Sequence, residues 1–176
     1  MTIQELEMFI NEYGKGIYSF CKKLCKNSDL TEELYQDLWL KACRNIDELE
    51  TNQNVKSYLL SLAIGIWRNK KRKFAWRNRI APQKELIHET DIDQENAVGE
   101  GDILSDIIED ERKAAVLEAV NSLKDHYRLP VLLYYMEEQS IKDIAKLLNV
   151  PEGTIKRRLW TAREKLKKKL EAYIDE

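Results

Sequence analysis

Glycine and proline are scarce in this chain of 176 residues, at 6 and 3, so there is little to punctuate it into many short elements. Long stretches of Leu, Lys, Glu, Ile and Ala fill the space instead, which predicts an all-α protein. Cysteine is nearly absent too. The three, Cys21, Cys25 and Cys43, are an odd number, and the first two lie four residues apart, which fits neither a disulfide framework nor a CxxC redox pair. His88 and His126 are distant in sequence, so the expectation is no metal and three reduced cysteines acting as small apolar residues. No run of about 18 apolar residues occurs, and the N-terminus lacks a basic start followed by an apolar stretch. The expected location is the cytoplasm, and the expected protein is not itself a membrane protein.

What is present is charge, unevenly spread. The net charge is only -2, yet between Asn54 and Ala81 the chain carries Lys56, Arg68, Lys70, Lys71, Arg72, Lys73, Arg77 and Arg79 with no acidic residue, interleaved with Trp67, Phe74 and Trp76. Cations with aromatics suit a nucleic-acid backbone together with unstacked bases, although a solvated basic helix face would read similarly. A second basic cluster shifts the balance. Lys156, Arg157, Arg158, Arg163, Lys165, Lys167, Lys168 and Lys169 crowd the last segment, and two separated basic helices suggest two contacts with one polyanion. From Glu85 to Glu111 eleven acidic residues follow one another without a Lys or Arg. This stretch predicts an acidic flexible linker over residues 81–108 between domains at 1–80 and 109–176.

Periodicity places the helices. Leu6, Phe9, Ile10, Tyr13, Ile17, Phe20 and Leu24 form one apolar face. Asp29 or Ser28 is expected to cap a second helix with Leu34, Leu38, Ala42, Ile46 and Leu49 inward, leaving Glu33, Gln36, Asp37, Leu40 and Arg44 as an outward stripe. A third helix buries Val55, Tyr58, Leu59, Leu62, Ala63 and Ile66, its apolar phase ending near Trp67. Farther on, Val116, Leu117, Val120 and Leu123 mark one helix, and Val131, Leu132, Leu133 and Tyr135 another that Pro130 starts or kinks. Ser140 with Asp143 three residues later opens a short amphipathic helix through Ile141, Ile144, Ala145 and Leu148. After the turn Asn149-Val150-Pro151-Glu152, the last helix turns Ile155, Leu159, Ala162, Leu166 and Leu170 inward. Thr154, Lys156, Arg157, Trp160, Thr161 and Glu164 lie on its other faces, with Arg158 at the boundary. This pattern is a helix-turn-helix with a basic second helix.

Two stretches carry a family resemblance. Residues 140–159, SIKDIAKLLNVPEGTIKRRL, resemble region 4 of the sigma-70 family, and Glu33-Leu34-Tyr35-Gln36-Asp37 resembles the acidic-Leu-x-Gln-acidic pattern of its region 2.2. With the order and the linker, the chain resembles the extracytoplasmic-function (ECF) branch of that family over nearly its whole length. The resemblance implies a sigma region 2 domain at 1–80 and a sigma region 4 domain at 109–176, without catalytic residues or cofactor. It further implies that Glu33, Gln36, Asp37 and Leu40 dock on the clamp helices of the largest subunit of core RNA polymerase. Contacts with the -10 element of promoter DNA are expected from Thr51, Asn52, Asn54, Trp67, Arg68, Lys70, Lys71 and Arg72. Contacts with the -35 element are expected from Thr154, Lys156, Arg157, Arg158, Thr161 and Arg163. An anti-sigma factor is a further partner implied by resemblance, and no small-molecule substrate is. Gly65 stands where the family often has Asn, Arg157 at a commonly small position, and Thr161 at one often basic.

Three rivals are separable. A free-standing DNA-binding regulator would footprint a promoter without polymerase. An enzyme would need a phosphate-binding glycine loop, a metal set or an activated nucleophile, none of which the sequence offers. A helical adaptor for proteins alone leaves both basic helices unexplained.

Overall fold

The computed structural model describes residues 3–45, 54–80 and 103–174, with side chains placed over 7–45, 54–80 and 111–171. The helices are α1 (Ile3–Cys25), α2 (Ser28–Arg44), α3 (Val55–Ile80), α4 (Ile103–Asn121), α5 (Asp125–Val131), α6 (Ile141–Leu148) and α7 (Glu152–Ile174), with a π-helical turn Leu132–Met136 after α5. No strand occurs among the described residues. The fold is all-α. Backbone contacts divide the chain into two compact units, residues 1–93 and 94–176.

In the first unit α1, α2 and α3 pack against one another. The core takes Ile17, Phe20, Cys21 and Leu24 from α1 and Thr31, Leu34, Leu38, Trp39 and Ala42 from α2. Each fully buried Leu, Ile or Phe contributes about 1.5–3 kcal/mol of hydrophobic stabilisation. Helix α1 closes at Lys26 in the left-handed region, φ 58°, and α2 opens at Asn27, whose side-chain oxygen accepts from the Leu30 amide at 3.0 Å. Asn27, one residue before the expected Ser28 or Asp29, is therefore the cap; an amide oxygen satisfies the orphan N–H as well as a carboxylate does. Asn54 caps α3 in the same way, accepting from the Ser57 amide at 2.9 Å.

Helix α3 buries a face shifted by about one residue from the expected one. Leu59, Leu60, Leu62, Ala63, Ile64 and Trp67 are all buried, while Val55, Tyr58 and Ile66 are half-buried. The stripe Leu60-Ala63-Ile64-Trp67 follows i, i+3, i+4, i+7 and ends at Trp67, where the apolar phase was expected to end. Every residue from Lys71 to Ile80 is exposed. The expected inward positions Ile46 and Leu49 lie outside the described residues.

In the second unit α7 packs on α4, α5 and α6. Helix α4 begins at Ile103, so the last six residues of the stretch expected as linker are helical. The sequence spacing of Ile103, Ile107 and Ile108 favours that start. The rest of that stretch, 81–102, lies outside the described residues. Ala119, Val120 and Leu123 are buried, but Val116 and Leu117 are exposed. Helix α5 starts at Asp125 rather than at Pro130, which sits inside it. A proline there forfeits one hydrogen bond to the preceding turn, and the backbone widens directly afterwards: the Glu137 amide reaches back to the Leu132 carbonyl at 3.2 Å. Val131, Leu132 and Leu133 are buried as expected, and Tyr135 is exposed instead.

Candidate functional site

The helix-turn-helix is built by local rules. Ser140 Oγ accepts from the Asp143 amide at 3.1 Å and donates to its carboxylate at 2.6 Å, a cap that also ties down the residue three positions on. Helix α6 ends at Asn149 in the left-handed region, φ 54°, and the Pro151 carbonyl accepts the first bonds of α7, from Thr154 at 2.9 Å and Ile155 at 3.3 Å. With Ile144, Ala145 and Leu148 buried against Ile155, Leu159 and Ala162, the register of α7 is set. Its outward surface then follows from the 3.6-residue period.

Lys156 and Arg157 are exposed and Thr154, Arg158 and Thr161 are half-buried at its margins. Arg163 lies toward the opposite margin from Arg158. Its Nε donates to the Tyr135 hydroxyl at 2.6 Å, and the guanidinium stands 5.8 Å from that ring. The π-turn therefore holds Arg163 in place. Trp160 is the residue that the expected set omits: 63% exposed, it stands one turn from both Lys156 and Glu164 on the outward face. Its signal was legible, because an aromatic on the polar side of a recognition helix has no core to serve.

In the first unit the expected docking stripe lies on α2. Glu33, Gln36 and Leu40 are exposed and Asp37 is half-buried. Lys70 of α3 reaches across to it, placing Nζ 2.6 Å from Glu33 Oε1 and 2.7 Å from Asp37 Oδ2. Burial works to lower the pKa of the Lys70 ammonium, but hydrogen bonds to Asp37 and Glu33, and their charges, outweigh it and lift the pKa above the ordinary 10.5. Lys70 was expected at the DNA surface, yet here it lies with the docking residues.

Arg68 and Lys71 are exposed beside it, and Arg72 donates to Asn69 Oδ1 at 2.9 Å. Trp67 calls for a correction. Its ring is only 7% exposed, packed into the core with Lys71 Nζ 4.8 Å from its centroid, so it offers no open face on which a base could stack. The helical period dictates this, since residue 67 continues the stripe of 60, 63 and 64. Asn54 is exposed, but its carbonyl oxygen is engaged in the α3 cap. Thr51 and Asn52 lie outside the described residues.

Cys21 is buried and Cys25 and Cys43 are half-buried, all as thiols. No group of three or more His, Cys, Asp or Glu side chains suited to a metal occurs among the described residues. None of the helices over those residues is long and apolar enough to cross a membrane.

Two family models match, sigma-70 region 2 over residues 9–77 and sigma-70 region 4 over residues 113–166. They occur in that order, one within each unit. The chain belongs to the sigma-70 family, in its ECF branch.

Among the relatives of this sigma-70 family chain is the ECF RNA polymerase sigma factor SigW of Bacillus subtilis (strain 168), 27% identical over 165 residues that span 92% of this chain and 86% of SigW. The ECF RNA polymerase sigma factor SigM of the same organism is 26% identical over 168 residues, 95% of this chain and 94% of SigM. In fold the chain is similar to the sigma factor RpoE of Bartonella quintana, solved in complex with the anti-sigma factor NepR. The TM-score is 0.73 at 21% identity, covering 96% of this chain and 98% of RpoE. CnrH, solved with the cytosolic domain of CnrY, gives 0.66 at 14% identity, covering 97% of this chain and 90% of CnrH.

Proposed function

We propose that this ECF sigma factor binds core RNA polymerase and directs it to promoters by recognising the -10 element with its first unit and the -35 element with its second. One observation carries the reading: a sigma-70 region 2 and a sigma-70 region 4 follow one another in a single chain, the second presenting an exposed basic recognition helix. The protein supplies no catalytic step. It lends the polymerase specificity, and synthesis remains with the core enzyme in the cytoplasm.

Residue roles follow from exposure and chemistry. Glu33, Gln36, Asp37 and Leu40 make a stripe of two carboxylates, an amide and an exposed Leu. It suits a helical partner, the clamp helices of the largest polymerase subunit, that brings cations and an apolar contact. Arg68, Lys71 and Arg72 follow the backbone of the opened -10 strand, while Thr51, Asn52 and the free amide nitrogen of Asn54 face an extruded base. In α7, Arg157 is the leading base reader, because a guanidinium grips guanine O6 and N7 together, worth about 1–3 kcal/mol of discrimination. Arg158 reads from the margin, Trp160 and Thr161 offer apolar contact to a thymine methyl group, and Thr154, Lys156 and Arg163 hold phosphates. As RpoE is solved in complex with the anti-sigma factor NepR, an anti-sigma factor is proposed here as the regulator.

The experiment is transcription in vitro by core polymerase on a genomic promoter library, with and without the protein. New initiation sites sharing two spaced sequence elements are expected with the wild type, and none with Asp37→Lys. Initiation by that variant at the wild-type level would remove the docking assignment, and a chain that footprints promoters tightly alone would instead be a free-standing regulator.

A further inference from the structure

We propose that Lys70 is an internal occupant of the docking stripe, and that polymerase docking exchanges it for a partner's cation and releases it to the DNA. The inference rests on the docking reading above. Glu33 and Asp37 are one turn apart on α2, where two like charges repel, and Lys70 places one ammonium within 2.7 Å of both. A surface that takes a cation from a partner is thus already holding one of its own.

The position of Lys70 gives the exchange a consequence. It belongs to the same turn of α3 as Arg68, Lys71 and Arg72, the cations that face solvent. While it bridges the two carboxylates, its charge is cancelled and the strand-binding surface is one cation short. The bridge is weak enough to swap: Glu33 and Asp37 are 60% and 44% exposed, and water and salt screen an ion pair in that setting. Binding at the stripe and binding at the DNA surface are then linked, each strengthening the other by the same factor.

Two measurements test this with the full-length Lys70→Met variant, after circular dichroism has verified its helix content. The first is affinity for core polymerase: without the internal competitor it rises about two- to fivefold. The second is binding of single-stranded -10 DNA against salt. In the holoenzyme the log-log slope falls by about 0.7, one phosphate contact fewer, whereas for the free chain wild type and variant have equal slopes. Docking that is unchanged or weaker in Lys70→Met overturns the exchange, as does a holoenzyme slope equal to that of the wild type or a difference between the free chains. Asp37→Lys run in parallel separates this from the docking reading: if it loses polymerase while Lys70→Met behaves as wild type, only the exchange is wrong. If Asp37→Lys docks normally, the stripe itself is misassigned and the exchange falls with it.

Discussion

The residues expected to meet partners are engaged with one another in the first unit and stand apart in the second. On α2 and α3, Lys70 bridges Glu33 and Asp37, Arg72 bonds to Asn69, and Asn54 caps its own helix. On α7, Lys156 and Arg157 of the expected -35 set project into solvent and Arg163 is tied back to Tyr135, while farther along Lys165 lies 5.8 Å from the Tyr127 ring and Lys169 3.6 Å from Glu118. The difference matches the two tasks. Reading duplex DNA needs a preformed ridge that enters a groove, whereas gripping melted DNA while docked on another protein needs surfaces whose internal contacts can be exchanged.

Both units are held by buried apolar side chains. The first unit relies on wide apolar burial, so Leu34→Ala, at a fully buried position, is expected to cost about 2–5 kcal/mol. Chemical denaturation followed by the fluorescence of the buried Trp39 and Trp67 checks this; a loss below 1 kcal/mol would mean that the core is not where the packing puts it. The second unit adds a local contribution at α6. Ser140→Ala removes the α6 cap and is expected to cost about 1 kcal/mol, read as a lower urea midpoint. An unchanged midpoint would make the cap irrelevant to that unit.

Two smaller changes run in the opposite direction. Glu138 sits at φ 53° just after the π-turn, a region costly for a residue with a Cβ, so Glu138→Gly is expected to stabilise by about 1 kcal/mol. Gly65 lies inside α3, and a Cβ added there meets nothing within 4 Å. Gly65→Ala should therefore stabilise by about 0.5–1 kcal/mol, read as a higher melting temperature. A fall in stability in either variant would show that the glycine or the strained backbone answers to a contact elsewhere.

Much of this was legible in the residues because the signals were local. The helix-turn-helix follows from the cap at Ser140, the turn ending at Pro151 and apolar positions three and four apart, all within twenty residues. The α2 stripe follows from the same period. What sequence spacing could not supply is which long side chain from another helix arrives at a surface. Lys70 is one of eight cations between Asn54 and Ala81, and nothing in its neighbours marks it as the one that reaches α2. Trp67 misled for a related reason: the cations that follow it suggested a ligand surface, while its ring continues the stripe of Leu60, Ala63 and Ile64. Arg128 is a residue that sequence spacing did not single out at all. It is 2% exposed, with its guanidinium 3.3 Å from the Asp125 carboxylate, and charge alone would put it outside.

The central claim is that the two units read one promoter together, with polymerase setting their separation. It is tested most directly by transcription in vitro from a promoter series in which the spacer between the -35 and -10 elements is lengthened or shortened one base pair at a time. A sharp optimum is predicted, with activity falling steeply within about two base pairs to either side, because each base pair displaces an element by about 3.4 Å along the duplex and also rotates it. Equal transcription across the series would contradict the account.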